Sequence, residues 1–137
     1  MMSRPLFELI LAVRRKCQGS EEQIQRELGL SPAEFSALIV LEDGGEIPGH
    51  EFAGRMVLSP SRGSRVLSKL VADGYAKTRM SPQDRRTILI LLTPKGKKTK
   101  QRMLAHMEAC ESRICSGLDR EKLAQVRDAL ELLETAL

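Results

Sequence analysis

A chain of 137 residues, 42% of them apolar, has the length of one domain and can bury most of the surface that its unfolded form exposes. Aromatic residues make up only 3% and Trp is absent, so the core must be built from Leu, Ile, Val, Met and Ala, which predicts a mostly α fold; the three cysteines, Cys17, Cys110 and Cys115, lack C-x-x-C spacing and so exclude a disulfide scaffold or a cysteine zinc knuckle. The net charge of +4 is modest, and no apolar run reaches membrane-spanning length, so a reducing cytoplasm is expected and neither export nor membrane insertion is.

From about Pro5 to Gln18, Leu6, Ile10, Val13 and Cys17 recur at alternating spacings of four and three, which is one helical stripe. A polar stretch, Gly19-Ser20-Glu21-Glu22, leads to Ile24 and Leu28, which either continue that helix or kink from it. Ser31-Pro32-Ala33-Glu34 is a capping box: a Ser N-cap, Pro at the first helical position, and a Glu able to reach back to the free backbone N–H. The helix it opens is predicted to run through Phe35, Leu38, Ile39 and Leu41 to Gly44-Gly45. Ile47-Pro48 should start a short third helix ending near Met56 or Val57 and weakened by Gly54. Ser59-Pro60 repeats the cap-plus-proline pattern and opens a fourth helix to about Asp73, closed by Gly74 in the left-handed position. Tyr75 to Met80 and Thr87 to Leu92 are two strand-length runs, and the Ser81-Pro82-Gln83-Asp84-Arg85-Arg86 segment between them makes a β-hairpin with a basic tip. Thr93-Pro94 starts a long helix to about Gly117, with Met103, Met107, Cys110 and Ile114 on one stripe. Asp119 caps a last helix with Leu123, Val126, Leu130, Leu133 and Leu137 at heptad-like spacing.

The charge is unevenly spread. Residues Ser59 to Lys100 hold 11 basic and 2 acidic side chains, a net of +9, and the remainder, with 11 basic and 16 acidic, carries −5. A basic block between acidic flanks presents a local surface suited to a polyanion. On a helical wheel the fourth helix puts Gly63, Val66, Leu67, Leu70 and Val71 on one face, with Ser61, Arg62, Arg65, Ser68 and Lys69 opposite. These five, with Ser64, are the positions expected to contact a major groove, where Arg can donate two bonds to a guanine edge. The preceding helix and tight turn distinguish this segment from an ordinary amphipathic surface helix.

Helix, turn, basic helix, then a hairpin with a basic tip is the order of a winged helix-turn-helix. Asp84-Arg85-Arg86, followed by Leu-Thr-Pro-Lys-Gly at residues 92–96, resembles the wing motif of MarR-family transcriptional regulators, and the resemblance extends over almost the whole chain. It implies a mostly α fold with a small β-hairpin wing, a DNA-binding lobe at about residues 30–98, and terminal dimerisation helices at about 3–29 and 99–137. It further implies that Arg86 enters a minor groove, that the fourth helix reads the major groove, and that the terminal helices form a two-fold dimer. The apolar stripes offered for that dimer are Leu6, Ile10 and Val13 at one end and Leu123, Val126, Leu130 and Leu133 at the other. Asp84 is expected to orient the Arg86 fork by paired hydrogen bonds, with Arg85 on the phosphate backbone. A ligand-responsive repressor on a palindromic operator, gated by a small-molecule effector of unspecified identity, is the functional expectation. Three departures from the family pattern stand out. Gly63 replaces a larger apolar residue and is expected to loosen helix packing, Pro60 occupies an often polar position, and Ser81 replaces a frequent acidic residue.

Two other readings are open. Cys17, beside Arg14, Arg15 and Lys16, makes a thiol-based redox sensor the first alternative. A winged-helix protein-interaction module without DNA binding is the second. His106 and Cys110 lie four residues apart, but two ligands do not make a metal site, and none is expected. No phosphate loop, dinucleotide fingerprint or catalytic triad order is present, so neither enzymatic activity nor a cofactor is expected.

Overall fold

The computed structural model describes residues 2–137. Among them, six helices and three short strands follow in the order α1 (Leu6–Leu28), α2 (Pro32–Val40), β1 (Ile47–Pro48), α3 (Gly49–Arg55), α4 (Pro60–Ala72), β2 (Ala76–Met80), β3 (Ile88–Leu92), α5 (Pro94–Ser116) and α6 (Arg120–Ala136). The fold is the expected mostly α winged helix-turn-helix, and no helix among the described residues is long and apolar enough to cross a membrane. The chain falls into two compact units that divide after Met103, within α5.

In the larger unit the helix starts follow local chemistry. The Ser31 hydroxyl accepts from the Glu34 N–H and the Glu34 carboxylate accepts from the Ser31 N–H, both at 3.1 Å, so the capping box is closed at both ends. The Ser59 hydroxyl accepts from the Arg62 N–H at 3.3 Å, with Pro60 in the first turn of α4. α1 is continuous through the Gly19-Ser20 stretch and ends at Gly29, whose left-handed φ of 68° closes it. The buried residues Phe35, Leu38, Leu41, Ile47, Phe52, Leu70, Ile90 and Met103 come from α2, α3, α4, the sheet and the first turns of α5.

Two boundaries differ from the sequence reading. Helix α2 stops at Val40, well before Gly44-Gly45, because Leu41 turns extended (ψ 123°) to bury its side chain. Lys100 from α5 then donates to the freed carbonyls of Ile39 and Leu41, replacing the helical bonds those groups would have made. Ile47-Pro48, expected to begin a helix, is instead the edge strand of a three-stranded antiparallel sheet in the order β1-β3-β2. Ile47 pairs with Ile90 and Pro48 with Leu89, while β2 and β3 pair from Ala76 with Leu92 to Met80 with Ile88. Proline lacks the N–H that a central strand must donate, so it sits at a sheet edge and α3 begins one residue later.

A third correction concerns Gly63. A Cβ there would stand 2.5 Å from the Ala53 Cβ, inside any allowed carbon–carbon contact, so the glycine lets α3 and α4 approach closely and does not loosen them.

The smaller unit holds the rest of α5 and all of α6. The Asp119 carboxylate accepts from the Lys122 N–H at 2.8 Å, the N-cap expected of it. Within α6, Val126, Leu130 and Leu132 are exposed and no residue is buried.

Candidate nucleic-acid interface

The α4 residues Ser61, Arg62, Ser64, Arg65, Ser68 and Lys69 are all exposed, and Gly63 and Leu70 of the opposite face are buried. The inner stripe is narrower than the wheel implies, for Val71 is 41% exposed. What separates the basic side chains is which of them already have a partner. Arg79 of β2 pairs with Glu46 in the loop before β1. Lys97 lies 3.7 Å from Asp43, and Lys69 lies 3.7 Å from the buried Glu34. Lys95 donates to the Asp73 carbonyl at 2.7 Å and stands 4.5 Å above the Tyr75 ring, and Lys100 serves the end of α2. Of the 11 cations in the basic block, Arg62, Arg65, Lys77, Arg85, Arg86 and Lys98 have no side-chain hydrogen bond or ion pair among the described residues. Two of these are on the outer face of α4 and two at the tip of the wing. The positive charge with no internal counterion is therefore concentrated on the two elements that a winged helix presents to DNA.

The wing tip is ordered by side chains acting on the backbone. Asp84 Oδ1 accepts from the Arg86 N–H at 2.9 Å and Oδ2 accepts from the Thr87 hydroxyl at 3.1 Å, while the Thr87 N–H reaches the Asp84 carbonyl at 2.9 Å. Asp84 thus holds the turn and not the Arg86 guanidinium, contrary to expectation: an Asx turn engages the carboxylate locally, two and three residues ahead. Ser81 is buried, and its hydroxyl accepts from the Gln83 N–H at 3.3 Å, which gives the departure at the wing's start its own turn-forming role.

Behind the interface, the Leu-Thr-Pro-Lys-Gly run acquires a physical explanation that sequence reasoning missed. The Thr93 hydroxyl donates to the Gly74 carbonyl at 2.5 Å and accepts from the Gly96 N–H at 3.0 Å, and the Thr93 N–H donates to the Tyr75 carbonyl at 3.0 Å. With Lys95 on the Asp73 carbonyl, three consecutive carbonyls at the end of α4 are held by the first turn of α5. A Cβ on residue 96 would meet the Tyr75 oxygen at 2.0 Å, so only glycine fits. The spacing alone marks a helix start; the carbonyls it binds lie some twenty residues earlier in the chain.

Glu34 couples α2 to α4. Burial pushes its carboxyl pKa up, but hydrogen bonding with Asp73 and Ser31 and the Lys69 charge together outweigh that and leave it lowered. Asp73 is raised, first by hydrogen bonding with Glu34 and then by desolvation. Glu34 Oε2 is buried and accepts no hydrogen bond among the described residues.

The dimerisation candidates are solvent-facing in the single chain. Leu6 (74%), Ile10 (40%) and Val13 (59%) lie exposed on α1, as do Val126 (42%) and Leu130 (58%) on α6, with Leu123 and Leu133 half-buried. Cys17 is exposed on α1, off any packed surface. Cys110 accepts from the Arg113 guanidinium at 3.1 Å.

A basic helix seated behind a tight turn, with a basic two-stranded wing beside it, defines a winged helix-turn-helix DNA-binding protein. Comparison with known proteins gives the narrower assignment. The sequence model of the MarR family matches residues 28–87, the span from the end of α1 to the wing tip. The chain is 28% identical over 133 residues to an uncharacterized protein of Mycobacterium tuberculosis, covering 96% of this chain and 89% of that one. It is 27% identical over 114 residues to the HTH-type transcriptional repressor MdtR of Bacillus subtilis, covering 83% and 74%. The crystal structure of the transcriptional regulator PA4135 superposes with a TM-score of 0.81 at 25% identity, covering 97% of this chain and 98% of that one. From the end of α1 through the wing the chain is similar to the MarR family of transcriptional regulators, and its fold is theirs.

Proposed function

We propose that this protein is a homodimeric, sequence-specific repressor that binds a palindromic operator, with α4 in the major groove and the wing in the flanking minor groove. The observation that carries this reading is the partition of the cations: Arg62 and Arg65 on α4 and Arg85 and Arg86 at the wing tip are unpaired, whereas Lys69, Arg79 and most of the basic residues at the start of α5 are spent inside the fold. Homodimerisation is supported by the apolar stripes of α1 and α6, which the single chain leaves exposed. Repression is supported by the likeness to MdtR, which is named a transcriptional repressor. Control by a small-molecule effector rests on the likeness to the MarR family alone.

Genomic footprinting followed by titration of the protected duplex across a salt series tests this reading. Repression requires protected half-sites centred about one helical turn apart and an affinity that falls steeply with salt as phosphate counterions are released. A winged-helix protein-interaction module shows no such salt-dependent duplex binding. Light scattering that returns a monomer at micromolar concentration removes the palindromic operator from the reading. A metabolite, metal and oxidant screen that leaves operator affinity unchanged removes the effector.

A further inference from the structure

The turn between α3 and α4 contains a residue that the fold itself does not want. α3 ends in a complete Schellman closure: the Leu58 N–H reaches the Ala53 carbonyl at 2.9 Å and the Val57 N–H reaches the Gly54 carbonyl at 3.0 Å. The residue at the left-handed position of that closure is Val57, with φ of 56°. The other left-handed positions described in the chain, residues 29, 44 and 74, are all glycine. A β-branched side chain is the worst choice at such a backbone angle. Nor is the strain offset by packing, because Val57 is 90% exposed. Its isopropyl group stands two residues before the Ser59 cap of α4, at the entrance to the helix whose outer face carries the unpaired Arg62 and Arg65. Backbone strain of this kind persists where a side chain is needed for something other than stability.

We infer that Val57 is a specificity-determining DNA contact, its isopropyl group packing on the 5-methyl group of a thymine at one edge of each operator half-site. This rests on the DNA-binding reading above. An exposed apolar group at the entrance to a helix that carries guanidinium groups on its outer face has one apolar partner in the major groove, the thymine methyl, which distinguishes T from the other bases there. Arg62 and Arg65 then supply the polar readout and Val57 the apolar element beside it.

Two variants and one modified DNA test the inference. Val57→Gly relieves the backbone and is expected to raise Tm by about 3 to 6 °C. It is also expected to weaken operator binding about threefold to tenfold, the size of one or two lost methyl contacts. Val57→Ala keeps the Cβ and the left-handed angle but loses the methyls, so it should weaken binding with a smaller gain in Tm than Val57→Gly. Scanning deoxyuridine for thymidine removes only the 5-methyl group. One position per half-site should weaken the wild-type protein by a similar factor and leave Val57→Gly unaffected. Operator affinity for both variants equal to wild type, or a deoxyuridine scan that affects wild type and Val57→Gly alike, overturns the inference while leaving the proposed function intact. A Val57→Gly protein no more stable than wild type removes its premise. Wild-type protein that protects no DNA defeats the functional reading itself, a result distinct from these.

Discussion

Replacing Gly63 with alanine sets two opposed effects against each other, and the geometry decides the sign. At an exposed helix position, Gly→Ala stabilises by about 1 kcal/mol because glycine has more backbone freedom to lose on folding. Here the new Cβ would lie 2.5 Å from the Ala53 Cβ and 3.0 Å from its Cα, against an ordinary carbon–carbon separation of about 3.5 to 4.0 Å. Neither opposing atom belongs to a side chain that can swing aside, so α3 or α4 must move by about 1 Å. Overpacking of this kind costs about 1 to 3 kcal/mol, and with a rigid backbone on both sides the upper part of that range applies. The net expectation is a loss of about 1 to 2 kcal/mol, or a Tm lower by about 3 to 8 °C, read from thermal melting followed by far-ultraviolet circular dichroism. Ala53→Gly should cost about 1 kcal/mol alone yet rescue Gly63→Ala, giving a favourable coupling of about 1 kcal/mol or more in the double-mutant cycle. A Gly63→Ala protein that melts higher than wild type refutes the close α3–α4 contact.

Arg86→Ala should weaken binding to a footprinted operator by about 1 to 3 kcal/mol at fixed salt, with the melting temperature unchanged. Asp84→Ala should cost less in the same titration, and the two changes should be less than additive, because the turn held by Asp84 matters chiefly for where it places Arg86. Asp73→Asn should raise Tm near pH 7. A carboxyl whose folded pKa is raised contributes stability below its unfolded pKa and loses it as pH rises through the folded value, so ionised Asp73 beside Glu34 is unfavourable and the amide removes that repulsion. Melting across pH should show the gain absent near pH 3 and growing to a plateau above Asp73's raised pKa. Gly96→Ala should destabilise by at least about 3 kcal/mol, with urea titration as the measure, since its Cβ would overlap the Tyr75 carbonyl oxygen.

Features decided within one turn of backbone are the ones the sequence displays. The Ser31, Ser59 and Asp119 caps and the Gly74 closure involve partners no more than a few residues away, and each stands where residue chemistry places it. β1 was invisible because two residues show no periodicity, and the pairing that makes Ile47-Pro48 a strand is with Ile90 and Leu89, some forty residues on. Gly63 was misread for a similar reason: its significance lies in Ala53, on another helix. The outer face of α4 was legible as a list of residues. Which cations remain unpaired was not, because Glu46, Asp43 and Glu34 come from other elements. Asp84 shows a subtler difference: its carboxylate does engage Arg86, two residues on, but through the backbone N–H and not the guanidinium.

The binding of the Asp73, Gly74 and Tyr75 carbonyls by Thr93 and Lys95 also determines where this chain can change in length. The wing loop hangs from that junction by two strands, so a residue inserted between Pro82 and Gln83 lengthens the tip and leaves every bond at the junction in place. One inserted between Gly74 and Ala76 slips β2 against β3 by a single position. That slip turns each β2 side chain to the opposite face of the sheet and moves the Tyr75 carbonyl off the Thr93 N–H. Within the hairpin, length can therefore change at the wing tip, whereas its two ends keep a fixed count of residues.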